Sequence, residues 1–270
     1  MVVTTRLPKA RVIGTALMLA GLVLAGLLLP LAAIAQQPAP RLSDAWLDTL
    51  KQSDRRVTWR HAFALEQATA DALDFQRRRL MAELGPLVTE ARLIDRPALA
   101  AGLRAWHAEL EGQPALPART PGRHDLPWLG AHQRGDLPLD DISLWGHCPV
   151  PSWVEVWHHG GVSRVAWRQD MTLAQGLAAL PETATRQAET ATLITPVGTL
   201  YTRGIAAWNH QATPLTPGSR VILPLPESGP YSAAARVVNR RLPGYLATRL
   251  PGDACEVFEH NDTGVREPTQ

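Results

Sequence analysis

Apolar side chains recur at helical spacing in one long stretch of the chain. From Ala62 onward they are spaced by seven, eight and four residues, at Leu65, Ala72, Leu80 and Leu84, which predicts an amphipathic helix. Gly85-Pro86 is predicted to end this helix. A second helix is predicted from about Asp95 to Leu110, with Asp95 as its N-cap. The short connection between the two predicts an antiparallel helical hairpin over about residues 62–111.

Short strand-like segments dominate the second half of the chain. His158-His159-Gly160-Gly161 separates two of them and predicts a β-hairpin, and Thr172 is predicted to cap a short helix over residues 173–180. A hairpin, a helix and three more strands in this order predict a β-grasp domain, in which a sheet curls around one helix. The predicted strands are residues 153–157, 162–167, 190–195, 199–205 and 220–225.

A proline-rich connection separates these two regions. Seven prolines and five glycines lie between Gly112 and Pro151, which predicts loops and edge strands with a domain boundary near Cys148 to Pro151. The C-terminal tail from Ser232 to Leu250 is predicted to be partly helical, with an interruption at Pro243-Gly244. Three shorter elements are also predicted: a helix at 43–51, a strand at 57–59 and a strand at 142–145.

The first 35 residues have the pattern of an export signal. Three basic residues precede an apolar stretch from Val12 to Ala35, which ends in the small-x-small sequence Ala33-Ile34-Ala35. We predict cleavage after Ala35; the alternative is an inner-membrane anchor, because the stretch is long enough to cross a bilayer. No later segment of the sequence is as long and apolar, so no stable membrane insertion is predicted after cleavage.

Removal of this segment changes the charge of the chain. The full sequence has 27 basic and 25 acidic side chains, and loss of the three basic residues Arg6, Lys9 and Arg11 leaves 24 and 25, a formal charge of −1. A nearly neutral chain lacks the basic surface that follows nucleic-acid phosphates. Nucleic acid is therefore excluded as an expected partner.

The chain has two cysteines, Cys148 and Cys255. Two are too few for a four-thiolate zinc site or an iron–sulfur cluster. In an oxidising compartment two thiols in one exported chain are expected to pair, which would tie the C-terminal tail to the start of the second half. The alternative is two separate buried cysteines.

The motifs of the common enzyme classes are missing from the sequence. There is no G-x-S-x-G nucleophile elbow, no H-E-x-x-H zinc motif and no Gly-rich phosphate loop. His147, Cys148, His158 and His159 lie close together in the sequence and could suggest a metal site. Adjacent strand residues point to opposite faces, so His158 and His159 are not expected to share one ion, and these residues are interpreted as solvated turn residues. We predict no catalytic residue, no metal and no cofactor.

Tryptophan and arginine are unusually frequent among the aromatic and basic residues. The chain has nine Trp against three Tyr and three Phe, and Lys9 and Lys51 are its only lysines. Exposed indole rings can stack on sugar rings, and guanidinium groups bind sugar carboxylates through paired N–H donors. The alternative is that most of the tryptophans fill the core. The candidate residues are Trp128, Trp145, Trp153, Trp157, Trp208, Arg119, Arg123 and Arg134.

Several segments resemble the capsule-biosynthesis GfcC family. Residues 198–210 (GTLYTRGIAAWNH) and 214–219 (PLTPGS) resemble its second β-grasp domain, which has a Trp-Asn motif followed by a Pro-Gly-Ser turn. Residues 57–62 (VTWRHA) are similar to the family's entry into its helical hairpin, and residues 119–123 (RTPGR) resemble the Gly-Arg turn that leaves it. The resemblance places the family's candidate functional arginine at Arg123 and adds Trp208-Asn209 as candidate binding residues.

The resemblance implies an α+β protein with two β-grasp domains, the first with the inserted helical hairpin, and a partly helical C-terminal tail. The implied organisation is a signal peptide at 1–35, a first domain at 36–149, a second at 150–228 and a tail at 229–270. Its implied role is a non-enzymatic periplasmic accessory of capsule or exopolysaccharide assembly, acting on the export channel or the polysaccharide itself. The alternative is a periplasmic enzyme that trims or modifies the exported polysaccharide. Pro243-Gly244 departs from the family's amphipathic C-terminal helix.

Overall fold

Within the described part of the chain, eight strands of the computed structural model form two sheets. The structure describes residues 39–52, 56–185, 188–227 and 232–259, so the predicted signal peptide lies outside the described residues. The first sheet has three antiparallel strands in the order β1-β2-β8. Their bounds are β1 Ala62–Glu66, β2 Ile142–His147 and β8 Glu256–Glu259. Helix α1 (Leu42–Gln52) packs on this sheet through Leu42, Ala45 and Trp46.

A helical hairpin is inserted between β1 and β2. It consists of α2 (Gln67–Leu93) and α3 (Pro97–Gly112), and the chain then passes through the short helix α4 (Leu126–Ala131) to β2. The hairpin packs against the second sheet. The indole N–H of Trp106 in α3 donates to the carbonyls of His158 and Gly161. At Gly102 the helix comes so close to His159 that an added Cβ would lie 1.9 Å from its carbonyl oxygen. The inserted hairpin therefore supports the second sheet.

The start of the hairpin was predicted wrongly. The run at 57–59 is not a strand: residues Trp59–His61 form a 3-10 turn, the strand begins at Ala62, and the helix begins only at Gln67. Gly85-Pro86 does not end α2, which continues through Pro86 to Leu93. A proline inside a helix costs about 3 kcal/mol. Burial offsets this cost, because Leu84, Leu87 and Ala91 around the proline are all at most 2 % exposed, and each buried leucine contributes about 1.5–3 kcal/mol.

The predicted N-cap of the second hairpin helix was also wrong. Asp95 takes a left-handed conformation, with φ of 57°, in the turn between the helices. Arg96 is the N-cap residue and Pro97 opens α3. Proline is favoured at the first helical position and disfavours a helical conformation at the residue before it, which agrees with a helix that starts at Pro97.

The second sheet has the β-grasp arrangement predicted from the sequence. Its strand order is β4-β3-β7-β5-β6, and the central β3–β7 pair is parallel. Helix α5 (Leu173–Ala178) begins with a capping box between Thr172 and Gln175, and α6 (Glu182–Thr185) follows it. The strands are β3 Trp153–His158, β4 Gly161–Ala166, β5 Thr190–Ile194, β6 Leu200–Gly204 and β7 Arg220–Ile222.

Alternate residues of β3 pack on opposite faces of this sheet. Val154 and Val156 pack with the α5 residues Leu173 and Leu177 in one core. Trp157, on the opposite face, packs with the hairpin and with helix α7 (Ser232–Ala247) in another. The sheet thus has helices on both faces, and the strand is buried along its whole length.

Helix α7 is continuous, contrary to the interruption predicted at Pro243-Gly244. It runs from Ser232 to Ala247 with Pro243 inside it. Leu242, Tyr245 and Leu246 around the proline are buried against the hairpin core. As in α2, the burial of side chains on both sides of a proline outweighs the loss of one backbone hydrogen bond.

The chain returns to the first sheet after α7. Strand β8 pairs with β2 from Leu144 opposite Glu259 to His147 opposite Glu256. Beside this pairing Cys148 and Cys255 form a disulfide, so the predicted pairing is confirmed. The sequence did not indicate β8, because a four-residue strand that pairs with a strand more than 100 residues earlier has no local pattern to reveal it.

Of the helices within the described ranges, none combines the length and apolarity needed to span a bilayer. The domain boundaries at 149/150 and 228/229 stay predictions.

Candidate functional site

The most exposed tryptophan of the described chain lies in a turn that directly follows β6. Trp208 keeps 75 % of its surface exposed. Asn209 holds the turn on both sides: its Oδ1 accepts from the N–H of Ala206 at 3.0 Å, and its Nδ2 donates to the carbonyl of Glu189 at 3.0 Å. Asn209 therefore positions Trp208, and both the oxygen and the nitrogen of its side-chain amide are hydrogen-bonded to the backbone.

Gly204 makes this turn possible. The backbone of Asn209 approaches it so closely that an added Cβ would lie 2.0 Å from the Asn209 carbonyl oxygen. The N–H of Gln211 donates to the carbonyl of Gly204 at 3.1 Å and closes the turn. The indole of Trp208 is thus presented to solvent by a hydrogen-bonded frame.

Strand β6 adds further exposed side chains next to this turn. It is an edge strand of the second sheet, and its first three residues, Leu200 to Thr202, are exposed. The guanidinium of Arg203 lies over the ring of Tyr201, 4.9 Å from its centroid, because alternate strand residues share a face. We refer to Tyr201, Arg203 and Trp208 together as the aromatic edge.

Arg123 lies in the loop before α4 and is bound to an acidic partner. Its Nε and Nη2 donate to the two oxygens of Asp125, both at 2.8 Å. The side chain of Arg123 is 51 % exposed, whereas that of Asp125 is 3 % exposed. Asp125 also caps α4 by accepting from the N–H of Trp128 at 3.0 Å. The hydrogen bonds to Asp125 raise the pKa of Arg123 above its usual value. They use the Nε and Nη2 donors, so a sugar carboxylate could be held only by the N–H groups of the Nη1–Nη2 edge.

Arg119 does not fit its predicted role as a sugar-binding residue. It is buried, with 1 % of its surface exposed. Its Nε donates to the carbonyl of Ala247 at 2.9 Å and its Nη2 to that of Thr195 at 3.3 Å. Burial, and then the nearby charge of Arg220, lower the pKa of Arg119 well below its usual value. Arg119 ties the end of α7 to the β5–β6 turn.

Trp128 is also part of the framework. Its ring stacks on His132 with centroids 4.6 Å apart, and an added Cβ on Gly135 would lie 2.6 Å from its edge. It packs at the rim of the first-sheet core. Trp128 is partly buried, whereas three other candidate tryptophans are fully buried, namely Trp145, Trp153 and Trp157. The alternative that most tryptophans fill the core describes these three positions.

The structure does not bring the predicted site residues together. The N–H of Gly122, beside Arg123, donates to Val197 in the turn that precedes β6. The Trp208 turn follows the other end of β6. A five-residue strand is about 16 Å long, so the loop of Arg123 and the indole of Trp208 lie at opposite ends of the same strand.

The comparison with known families covers four of the five strands of the second sheet, all except β3. Residues 161–251, from β4 to just beyond α7, match the family model described as capsule biosynthesis GfcC C-terminal. This region belongs to the capsule biosynthesis GfcC family. No curated protein matches the chain.

The aromatic edge lies within the matched GfcC C-terminal region. Trp208-Asn209 and the Pro-Gly-Ser turn at 217–219 lie within it, so the resemblance predicted from these residues is confirmed. The resemblance of residues 57–62 and 119–123 lies outside the matched region and stays a prediction. Arg123 as the functional arginine of the family therefore also stays a prediction.

A buried ionic network between Glu155 of β3 and Arg220 of β7 was not predicted from the sequence. Glu155, 1 % exposed, accepts from Nε of Arg220 at 3.1 Å and from the indole of Trp157 at 2.8 Å. Burial alone would raise the pKa of Glu155; Arg220, Trp157 and Arg164 outweigh it and hold the pKa below its usual value. A lone glutamate inside an otherwise apolar strand was the available signal, since such a residue needs a buried partner.

The prediction that the histidines near the β3–β4 turn are solvated was wrong. His158 is buried and its Nε2 lies 2.9 Å from the hydroxyl of Ser163. His159 is partly buried and its Nε2 donates to the carbonyl of Pro224 at 2.8 Å. Across the described ranges, no three His, Cys, Asp or Glu side chains are grouped so that they could hold a metal ion.

Proposed function

We propose that this protein is a non-enzymatic accessory of capsule or exopolysaccharide assembly and export, and that it works in the periplasm. The match of residues 161–251 to the capsule biosynthesis GfcC C-terminal family carries the proposal. The Cys148–Cys255 disulfide supports an oxidising compartment, because such bonds are rare in the bacterial cytoplasm. The predicted export signal agrees with it.

The aromatic edge is the part of the molecule that we propose to contact the polysaccharide. Trp208 offers a large apolar ring without being needed for the core, and Tyr201 in the preceding strand is 42 % exposed. Rings of this kind stack on the C–H faces of sugars. Arg203 adds a positive charge that can hold a sugar hydroxyl or carboxylate. Contact with the polymer is thus favoured over contact with the export channel.

A complementation experiment tests the role of the aromatic edge. A strain that makes a surface polysaccharide and lacks this gene is complemented with wild-type protein, Trp208→Ala or Phe75→Ala. Phe75 is a matched control, because it is a 59 % exposed aromatic residue on a different element, helix α2 of the hairpin. Trp208→Ala should leave surface polysaccharide as low as in the deletion strain, whereas Phe75→Ala should restore it.

Two results would overturn the proposal. Unchanged surface polysaccharide in the deletion strain would remove the role in export. New reducing ends after incubation of the purified protein with the native polymer would indicate the alternative, an enzyme that trims it. If polysaccharide depends on Trp208 but the purified protein binds the channel and not the polymer, the channel is the partner of the aromatic edge.

A further inference from the structure

A cleft of about 320 Å³ lies where two of the segments that resemble the GfcC family meet. This volume is in the range of small-molecule binding sites. The two segments, residues 57–62 and 214–219, are far apart in the sequence, and both contribute to the lining. We refer to the cleft as the junction cleft; the first segment supplies Thr58, Arg60 and His61, and the second supplies Leu215, Thr216 and Pro217.

Hydrogen bonds fix both sides of the junction cleft. Nε2 of His61 donates to the carbonyl of Pro217 at 3.1 Å and so joins the first segment to the second. The backbone N–H of His61 donates to the carbonyl of Thr58 at 2.8 Å. Trp167, which also lines the cleft, donates from its indole to the carbonyl of Leu215 at 2.8 Å. A ligand therefore meets groups whose positions are already fixed, which lowers the entropy cost of binding.

The lining of the junction cleft combines apolar surface with hydroxyl groups. Val150 is 56 % exposed, and the partly buried side chains of Trp167 and Pro217 extend the apolar surface. Thr58 and Thr216 contribute hydroxyls that can both donate and accept hydrogen bonds. A sugar ring has the matching character, with apolar C–H faces and a rim of hydroxyl groups.

Arg60 supplies a positive charge to the lining. It is exposed, and its guanidinium has no hydrogen-bond or ion-pair partner among the described residues. Arg123 differs, because its Nε and Nη2 are bound by Asp125, and Arg119 differs, because it is buried. An unoccupied guanidinium can bind both oxygens of a carboxylate through two parallel N–H donors. The carboxylate-binding role expected of Arg119 and Arg123 therefore fits Arg60 better.

We propose that the junction cleft binds an acidic sugar unit of the exported polysaccharide, with the sugar carboxylate paired to Arg60. The inference rests on the proposed function and extends it, since it names the class of sugar that is recognised. The contact is separate from the aromatic edge, because Trp167 follows β4, at the opposite edge of the second sheet from β6.

Binding of two oligosaccharide probes to the purified protein tests the junction cleft. The probes are tetragalacturonate, which carries carboxylates, and cellotetraose, which is neutral; binding is followed by saturation-transfer NMR and titration at fixed ionic strength. Arg60→Gln removes the charge, and Arg104→Gln is its matched control, because Arg104 is also exposed but lies on α3, outside the lining. Tetragalacturonate affinity should fall at least about tenfold in Arg60→Gln and stay within about twofold in Arg104→Gln.

A second pair of variants fills the cleft without a change of charge. Val150→Phe enlarges a lining side chain, and Leu93→Phe is its matched control, because Leu93 is an 81 % exposed aliphatic residue at the end of α2. Tetragalacturonate affinity should fall at least about fivefold in Val150→Phe and stay within about twofold in Leu93→Phe.

The results separate this inference from the proposed function. Equal tetragalacturonate affinities of the Arg60→Gln and Arg104→Gln proteins, both with wild-type melting curves, overturn it and leave the Trp208→Ala complementation experiment intact. A wild-type protein that binds cellotetraose more tightly, or does not bind tetragalacturonate, also overturns it. Weaker tetragalacturonate binding in Arg60→Gln and Val150→Phe, with wild-type binding in both controls, supports it even if Trp208→Ala restores surface polysaccharide.

Discussion

The pair formed by Arg123 and Asp125 yields a prediction that separates a structural arginine from a binding one. Asp125 is almost fully buried and accepts two hydrogen bonds from Arg123 at 2.8 Å, in addition to one from the backbone at the start of α4. Replacement of Arg123 by alanine leaves a buried carboxylate with a single donor. Breaking a fully buried ion pair costs about 3–5 kcal/mol. Because the Arg123 side chain is 51 % exposed, water can reach Asp125 in the variant. We therefore expect the free energy of unfolding to fall by about 2 kcal/mol.

The expected loss is measurable by thermal unfolding at neutral pH. For a chain of 150–250 residues, about 2 kcal/mol corresponds to a fall in Tm of about 4–8 °C. Arg123→Lys should recover part of it, since an ammonium group restores the charge but not the two parallel bonds. A double-mutant cycle with Asp125→Asn should give a coupling energy of at least about 1 kcal/mol.

The matched control for this prediction is Arg78→Ala. Arg78 pairs with Asp74 at 3.2 Å, but both side chains are at least half exposed, so its loss should cost no more than about 0.5 kcal/mol. An Arg123→Ala protein with wild-type Tm that fails to restore surface polysaccharide would refute the structural interpretation. Arg123 would then be the functional arginine that the family resemblance implies.

Three further predictions concern buried groups. Burial lowers the pKa of three histidines, His61, His124 and His158, so the unfolded chain binds more protons than the folded chain below about pH 6.5. The free energy of unfolding should therefore be greatest above that pH and fall as the pH is lowered. Urea titrations that show no loss of stability between pH 7 and 5 would contradict this. Cys255→Ser opens a loop of 107 residues and should lower the free energy of unfolding by about 3–5 kcal/mol, as measured by urea denaturation with and without reductant; equal midpoints would contradict it. Arg119→Ala should lower the free energy of unfolding by about 2–3 kcal/mol, because it leaves a cavity and removes the donor to the Ala247 carbonyl, whereas the Thr195 carbonyl keeps the N–H of Gly198. An unchanged melting curve would contradict this.

The candidate site was only partly visible in the sequence. Trp208 and Asn209 stood out through the family resemblance, but the sequence did not show that one is exposed and the other holds the turn. Tyr201 and Arg203 were missed, because their exposure depends on β6 lying at the edge of the sheet.

Local patterns by themselves determined most of the second sheet. Strands β3 to β6 and helix α5 follow from alternation, turn residues and a capping box, all of which act over a few neighbouring residues. The sequence also indicated the disulfide through the number of cysteines and the expected compartment. Tertiary structure decided the rest. Prolines 86 and 243 remain inside helices because distant side chains bury the residues around them, and β8 exists because a strand far away in sequence pairs with it. Arg119 and Arg123 lie four residues apart in the same loop, yet one is buried and the other half exposed, since burial depends on which surfaces close over a loop and not on the loop's own sequence.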